Sequence, residues 1–416
     1  MTEILKVLKG TKDILPQEIA TWHKLENNAQ EIFSRYGYKE IRTPIIEVTE
    51  LFARGVGDTT DIVNKEMYTF EKSDRSITLR PENTAGVVRS FIENGMHRSS
   101  MPVKLWYKGP MFRYERPQAG RQRQFHQIGV EMFGIKGAQA DAEAIVLAVN
   151  YLKSLGLNDL EVEINSLGCP KCREEYKQKI KDVLKPEFDN LCEDCQSRYE
   201  KNPLRLLDCK VESCKAIFEK PEIQKVIKSD FLCEECREHY NNLKSYLDIL
   251  DVKYSENKLL VRGLDYYNRT VFEIKSNNLG SQNAVCGGGR YDSLVKQLGG
   301  EDTPAVGWAM GMERLYSLIE HSQNELLDGY IVSSSPKDAF KLAQELRNQK
   351  LCIEFDLSDK KFSKQLEKAA KSAKFALILG EDEIKSGTVS VKDLSNSKQI
   401  NVKRDKVSEI ILQGGF

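Results

Sequence analysis

Two runs of alternating polarity stand out in the first half of the chain. Val103-Lys104-Leu105-Trp106-Tyr107 precedes, and Phe125 to Phe133 follows, a loop rich in Arg, Gln and Gly. Side chains two apart in a strand share a face. The second arm therefore turns Phe125, Gln127, Gly129, Glu131 and Phe133 one way, and His126, Ile128, Val130 and Met132 the other. Elsewhere the spacing is helical: Ile19, Trp22, Leu25, Ala29, Ile32, Phe33 and Tyr36 recur at three and four residues between Pro16 and Gly37. Tyr38 to Thr43 predicts a strand that Pro44 interrupts, and a proline there belongs at an edge, a boundary or an interface. Ser76 to Arg80 predicts another short strand and Ala138 to Leu155 a second helix. Leu259 to Ile274 predicts two strands joined through Asp265–Arg269, and Thr303 to Ile319 a glycine-rich strand running into a helix. Strands bunch with few helices between them, which predicts an α+β domain with an antiparallel sheet flanked by helices, not a βαβ repeat.

After Asp328 the rhythm changes. Strands over Tyr330–Ser333, Leu351–Leu357, Phe375–Leu379, Thr388–Val391 and Ile400–Val402 alternate with helices over Pro336–Asn348, Phe362–Ser372 and Val407–Leu412. That predicts a separate α/β domain over 328–416. Between the two lies a segment of different character, 167–251, inserted between a first core segment, 1–166, and a second, 252–322. It holds eight of the ten cysteines, spaced Cys169-x2-Cys172, Cys192-x2-Cys195, Cys209-x4-Cys214 and Cys233-x2-Cys236.

Composition narrows the class. A chain of 416 residues exceeds one ordinary core, so two or three domains are expected. Hydrophobic content of 40% with 30% charged residues fits a globular protein, and no apolar run approaches the length of a membrane span. The first residues, MTEILKVLKGTKDILPQE, show neither an apolar core nor a cleavage site for export, so a cytoplasmic location is expected. There, paired cysteines favour structural zinc over disulfides, two pairs closing one tetrahedral site. Buried small hydrophobes or free thiols are the competing reading, and the spacing leaves open which pairs share a metal. Cys286 and Cys352 stand alone and read as core residues. Basic and acidic side chains balance at 62 each, against a protein that coats nucleic acid by bulk charge. Charge is nevertheless local: Lys104–Arg123 holds six basic residues against Glu115 alone, and 328–416 holds 16 basic against 13 acidic.

The candidate chemistry follows from these contexts. No G-x-x-x-x-G-K-[ST] loop, Ser/His/Asp set or H-E-x-x-H pair occurs, and the five histidines are scattered. The hairpin offers Arg113 on one arm and an amide and a carboxylate, Gln127 and Glu131, on the other. That layout suits a ligand carrying both phosphate and an NH-bearing group. Gln and Glu set between aromatics favour a lined pocket over a surface hairpin with solvated arginines. Gly287-Gly288-Gly289-Arg290 reads as a turn or a close approach of backbone to ligand. Gly307-x3-Gly311-x2-Arg314 sets an arginine where strand meets helix.

Together these segments carry a family resemblance. Thr78-Leu79-Arg80-Pro81-Glu82, Phe112-Arg113-Tyr114-Glu115 and Gly311-Met312-Glu313-Arg314 resemble the second and third signature motifs of class II aminoacyl-tRNA synthetases, and the chain around Pro44 the first. Leu260-Val261-Arg262-Gly263-Leu264-Asp265-Tyr266-Tyr267 and Cys286-Gly287-Gly288-Gly289-Arg290-Tyr291-Asp292 are similar to the two peptides of the histidyl-tRNA synthetase family. The resemblance starts at Lys9-Gly10-Thr11-Lys12-Asp13 and reaches through the C-terminal domain.

It implies a homodimer joined around Pro44 and a C-terminal anticodon-binding domain. The reaction implied is ATP, with Mg2+, plus L-histidine giving histidyl-adenylate, then transfer to the terminal ribose of tRNA(His). Arg113 would hold the α-phosphate, with Arg262 across it where relatives of other specificity use a metal. Arg314 would meet adenine or the γ-phosphate, and Glu115 would line the ATP site. Glu82, Thr84 and Gln127 would receive the amino group and Glu131 with Tyr267 the imidazole, and Asn83, Arg262 and Tyr266 would also bind histidine. Arg116 and Gln118 would meet the acceptor end, and Arg121 either that end or ATP. Tyr114 stands where many relatives carry His. The cysteine-rich insertion departs from the family pattern, so a metal there would be structural. The alternative implied is a catalytically silent, synthetase-like regulatory subunit of histidine biosynthesis. Such chains lack the C-terminal domain and parts of the Arg- and Tyr-bearing motifs that this one keeps.

Overall fold

The computed structural model describes residues 4–57, 60–98, 100–117, 120–276, 284–323, 325–358 and 360–415. It divides into two compact units, the first ending at Ser322 and the second beginning at Gln323.

Eleven strands of the first unit form two sheets. They are β1 (Lys39–Glu40), β2 (Ile46–Val48), β3 (Tyr68–Lys72), β4 (Arg75–Leu79), β5 (Val103–Phe112), β6 (Gln124–Phe133), β7 (Leu160–Ser166), β8 (Tyr254–Glu256), β9 (Asn268–Ser276), β10 (Ala284–Arg290) and β11 (Ala305–Gly311). The large sheet runs β1-β5-β6-β11-β10-β9-β7-β8 and the small one β2-β4-β3. The large sheet is antiparallel from β5 to β7, as the strand pattern predicts, and only its outer pairs, β1 with β5 and β7 with β8, are parallel.

Alternation decides what each face does. Ile128, Val130, Met132, Val306, Trp308, Met310, Phe272 and Ile274 point to one side, into a core shared with Trp22, Leu25, Ala29 and Phe33 of the Pro16–Arg35 helix and with the Gln139–Ser154 helix. The Trp308 indole anchors that layer by donating to the Ala144 carbonyl at 2.8 Å. On the opposite face Leu105, Tyr107, Met111, Phe133, Val271 and Ala305 pack with Val87, Val88 and Phe91 of the Thr84–Glu93 helix and with Tyr266, Tyr267 and Tyr291. The Gln127–Glu131 row belongs to this second, more polar layer.

Four expectations need correction. The strand expected over Tyr38–Thr43 is two residues long, because only Lys39 and Glu40 stay in register with β5. The strand pair expected over Leu259–Ile274 is one strand, β9, preceded by an irregular 257–267. The carbonyls of Asp265 and Tyr267 there go to the Arg173 guanidinium, each at 3.0 Å, and not to a neighbouring strand. The Gly287–Gly289 run is no turn: it lies inside β10, paired on both sides. Cys286 is buried as expected, but Cys352 is exposed: it precedes the short strand Ile353–Phe355 and is tied by its backbone, the amide donating to the Asp328 carboxylate and the carbonyl accepting from the Gly329 amide.

The segment between β7 and β8 is helical, with helices Pro170–Leu184, Glu193–Lys201, Glu212–Phe218, Pro221–Ile227 and Glu234–Ile249. The second unit holds β12 (Leu327–Ser333), β13 (Ile353–Phe355), β14 (Ala373–Leu379), β15 (Thr388–Asp393) and β16 (Gln399–Lys403), ordered β13-β12-β14-β15-β16. Helices Pro336–Arg347, Phe362–Ser372 and Val407–Leu412 stand where the alternation predicts them, and a short helix, Glu381–Ser386, was not foreseen. No helix among the described residues is long and apolar enough to cross a membrane.

Candidate active site

The centre of the second face is Glu131, 1% exposed. Thr84 donates its hydroxyl to one carboxylate oxygen at 2.7 Å and Tyr291 donates to the other. Burial pushes the Glu131 carboxyl up to about 8, against the pull of those two hydroxyls, and the nearby Glu82 adds to the rise. Burial thus favours the neutral, protonated form of this carboxyl, and a cation beside it would favour ionisation.

Space above it is made by glycine. Register places Gly307 beside Glu131, and Gly129 beside both Tyr107 and Ala309. A Cβ on Gly307 would overlap the Glu131 carboxylate, and one on Gly129 would stand 2.5 Å from the Tyr107 ring. A Cβ on Gly287 would overlap the Arg262 guanidinium. Arg262 lies over that strand and pairs with Glu273 of β9, yet its buried Nε has no partner; neither has the buried Oε1 of Gln127 nor Nδ2 of Asn83.

The arginines gather toward the hairpin end. Arg113 follows β5, donates Nε–H to the Pro81 carbonyl at 2.8 Å and sits 5.3 Å over the Phe125 ring. Its amide donates to the Arg123 carbonyl, closing the hairpin. Glu115 receives Arg121 at 2.8 Å. Arg314, at the start of the Met312–Leu318 helix, donates to the Ala284 carbonyl; burial and the neighbouring charge of Arg121 both oppose its own charge. Three positive groups thus gather at the hairpin end around the single carboxylate of Glu115, an arrangement that a further anion relieves.

Of the residues picked from sequence, Glu131, Thr84, Tyr266 and Tyr267 come together around one carboxyl, Gln127 lies four residues before Glu131 on the same strand, and Arg113, Arg121, Glu115 and Arg314 gather around the hairpin end. Glu82 is buried, its carboxylate accepting from the Thr84 and Ala85 amides at 2.7 and 2.9 Å, so it caps the helix over the site. Asn83 accepts from Thr43 and Arg80 through its side-chain oxygen. Arg116 is exposed, and Gln118 falls outside the described residues. Sequence reasoning missed Tyr291, Tyr107, Glu273 and Arg80. Arg80 donates to the Pro110 and Thr43 carbonyls and occupies the space that Gly109 leaves. It also missed Glu313, which clamps β6 by accepting from the His126 amide at 2.9 Å. Arg290, which ends the glycine run, is structural: fully buried, it pairs with Asp141 and Asp292. In the insertion, Cys169, Cys172, Cys233 and Cys236 form one group, and Cys192, Cys195, Cys209 and Cys214 another, each able to hold a metal ion.

Fold and site together define a class II aminoacyl-tRNA synthetase scaffold: an antiparallel sheet with an arginine at its hairpin and another on the helix after its glycine-rich strand. Residues 10–315 match the family model for histidyl-tRNA synthetase, and residues 329–414 that for an anticodon binding domain. The histidine–tRNA ligase of Thermosipho melanesiensis is 49% identical over 412 residues, covering 97% of each chain. The apo histidyl-tRNA synthetase of S. aureus superposes with a TM-score of 0.81 at 37% identity, covering 98% of this chain and 99% of that one. A Bacillus halodurans structure described as an ATP phosphoribosyltransferase regulatory subunit/histidyl-tRNA synthetase shares the fold (TM-score 0.64, 21% identity, 91% of this chain and 99% of that one). The chain belongs to the histidyl-tRNA synthetase family.

Proposed function

We propose that this chain is a histidine–tRNA ligase: it condenses L-histidine with ATP to histidyl-adenylate and pyrophosphate, then passes the histidyl group to the terminal ribose of tRNA(His), releasing AMP. The observation that carries the reading is the buried Glu131 carboxyl on a glycine floor, with Arg262 over Gly287 of the same sheet and the Arg113–Arg121–Arg314 cluster at the hairpin end. An amino acid with a basic ring needs the first, and a triphosphate the second.

The steps follow from charge. The histidine carboxylate attacks the α-phosphorus, the bond to pyrophosphate breaks, and negative charge grows on the pentavalent centre. Arg113 and Arg262 would flank that centre as fixed guanidiniums in a dry site, stabilising the charge without reorganisation. Arg314 would hold adenine or the γ-phosphate end, and Arg121, kept in place by Glu115, would reach ATP or the acceptor end. ATP enters as its Mg2+ complex. Glu131 with Tyr267 and Tyr266 would receive the imidazole. Gln127, whose buried oxygen lacks a partner, would receive the amino group, supported by Glu82, Asn83 and Thr84. Arg116 and Gln118 would meet the tRNA end, and the second unit would read the anticodon.

We also assign structural Zn2+ to the cysteines of the insertion, a homodimer to the region around Pro44, and a cytoplasmic location. Exposed Ile45, Ile46, Val48 and Phe70 there support the dimer. The silent regulatory alternative is disfavoured because Arg113, Arg262, Arg314 and the tyrosine pair are all kept beside a full second unit. Histidine-dependent ATP–pyrophosphate exchange on the purified chain tests the proposal: exchange with histidine is expected, and its absence at ordinary magnesium sinks the ligase reading.

A further inference from the structure

The insertion folds around thiols. Its eight cysteines, scattered over 68 residues of sequence from Cys169 to Cys236, collect into two separate tetrads, and within each the sulfurs lie within 4.8 Å of one another. Neighbouring sulfurs stand 3.6 Å apart in the first, Cys169 to Cys172, and 3.9 Å in the second, Cys192 to Cys209. Zinc–sulfur bonds of about 2.3 Å in a tetrahedron separate their sulfurs by about 3.8 Å, so both tetrads fit a single tetrahedral ion.

Three pairs share a further construction. Cys169, Cys192 and Cys233 each immediately precede a helix, and Cys172, Cys195 and Cys236 occupy its first turn. Backbone amides then aim at sulfur: Cys169 N–H at Cys236 Sγ (3.2 Å), Cys233 N–H at Cys172 Sγ (3.1 Å) and Cys192 N–H at Cys214 Sγ (3.3 Å). Such donors stabilise thiolate charge and orient metal ligands. Gly168, at φ +69°, makes the approach possible, since a Cβ there would lie 2.6 Å from that of Cys172.

The first tetrad joins the start of the insertion to its end, and it touches the candidate active site through one residue. Arg173, next after Cys172, donates to the carbonyls of Asp265 and Tyr267. On the other side of the tetrad, Leu167 N–H donates to the Arg269 carbonyl and Arg269 N–H to the Gly168 carbonyl, at 2.7 and 2.9 Å. The loop that presents Tyr266 and Tyr267 is thereby gripped from both flanks of one cysteine pair.

We propose that the chain carries two tetrathiolate zinc sites, Cys169/Cys172/Cys233/Cys236 and Cys192/Cys195/Cys209/Cys214, and that the first sets the Tyr266–Tyr267 loop for histidine through Arg173. The positioning half rests on the ligase reading above; the metal half does not. Arg173 is a positioning residue, because it reaches the substrate only through the backbone of that loop.

Elemental analysis of the full chain, purified without chelator, should find two zinc ions per chain. Less than about one ion per ten chains, or an iron chromophore, overturns the sites. Mercurial titration of the thiols against a colorimetric chelator should release both ions and needs no variant. Cys209→Ser should leave one ion, as should Cys233→Ser; retention of two by either overturns the pairing. Arg173→Ala should keep both ions and raise the KM for histidine about tenfold, with the KM for ATP and kcat nearly unchanged. An unchanged histidine KM overturns the positioning role. Two zinc ions without histidine-dependent exchange would overturn the ligase reading and leave the sites standing. Exchange by a zinc-free chain would do the reverse.

Discussion

Replacing Glu131 by glutamine separates the charge of the proposed histidine pocket from its shape. Burial holds this carboxyl at about 8 against an ordinary 4.5, so ionising it in the folded chain costs about 5 kcal/mol, an upper figure because the surroundings relax. An imidazole brings its own proton equilibrium, near 6.5 when free. Between about pH 6.5 and 8 the pair holds one proton in total, on Glu131, and binding moves it onto the ring to form imidazolium and carboxylate. Below that window both partners are protonated and one proton must leave; above it neither is, and one must be taken up. The value of kcat/KM for histidine should therefore be bell-shaped in pH, falling about tenfold per unit on each side.

Glu131→Gln keeps the size and cannot ionise. Its kcat/KM for histidine should fall by two to three powers of ten, the roughly 3–4 kcal/mol expected on removing one partner of a buried charged pair, with the KM for ATP unchanged. The alkaline limb should vanish, because only the substrate then titrates. Stability gives a second reading of the same group. A folded-state value above the unfolded one means that the folded chain keeps a proton the unfolded chain has lost. Wild-type stability should then decline as pH rises from about 4.5 to about 8, and Glu131→Gln should remove that slope. Pyrophosphate exchange across the pH range, with denaturant unfolding in the same buffers, measures both. A wild-type profile flat through pH 8, or an alkaline limb that survives in Glu131→Gln, refutes the reasoning.

Asp141 offers the opposite linkage. Burial alone would raise its carboxyl, but Arg290 and the His239 ring, 3.4 Å away, hold it well below the usual range. Its contribution is present above about pH 4 and lost as pH falls further, so Asp141→Asn should flatten the acid side of the unfolding profile. Asp141→Ala, which leaves the buried Arg290 guanidinium with Asp292 as its one carboxylate partner, should cost about 3–5 kcal/mol in denaturant unfolding, and a loss below about 1 kcal/mol would contradict the pairing. Gly307→Ala pushes a methyl into the Glu131 carboxylate, and histidine-dependent exchange should drop at least tenfold while the chain still folds; normal exchange would mean that the glycine floor is not the binding surface. Arg262→Ala with Glu273→Gln, which avoids leaving that carboxylate unpaired, should abolish adenylate formation with little change in melting temperature, and near-normal turnover removes Arg262 from the chemistry.

What the sequence revealed of this site follows the reach of local patterning. The β6 alternation was legible because one of its faces had to enter the Trp308 core, and a period of two then leaves Gln127 and Glu131 on the other. Arg262 was recognised by its peptide but misassigned to a strand: farther along that segment the Asp265 and Tyr267 carbonyls go to Arg173, about ninety residues away in the sequence, and not to a neighbouring strand. Tyr291 and Arg290 are adjacent in sequence, and alternation sends them to opposite layers, one to Glu131 and the other to Asp141. No local signal tells a ligand arginine from a buried structural one, since that depends on whether a distant helix supplies an aspartate. Cysteine pairing was closed to the sequence for the same reason: the first tetrad joins the two ends of the insertion.

The site holds several polar groups in a state that no protein partner completes. Gln127 Oε1 and Arg262 Nε are buried without acceptor or donor, Glu131 is held neutral, and Arg314 keeps its charge against burial and Arg121. Each costs folding free energy, and each would gain a partner from a different part of one molecule: an ammonium, a phosphate oxygen, a basic ring, a polyphosphate tail. A surface hairpin of solvated arginines has no such debts, because water meets them. That unmatched groups of opposite demand lie on one face of the sheet, over glycines that leave room for a ligand, is therefore a stronger argument for a histidine-and-ATP site than any single residue in it.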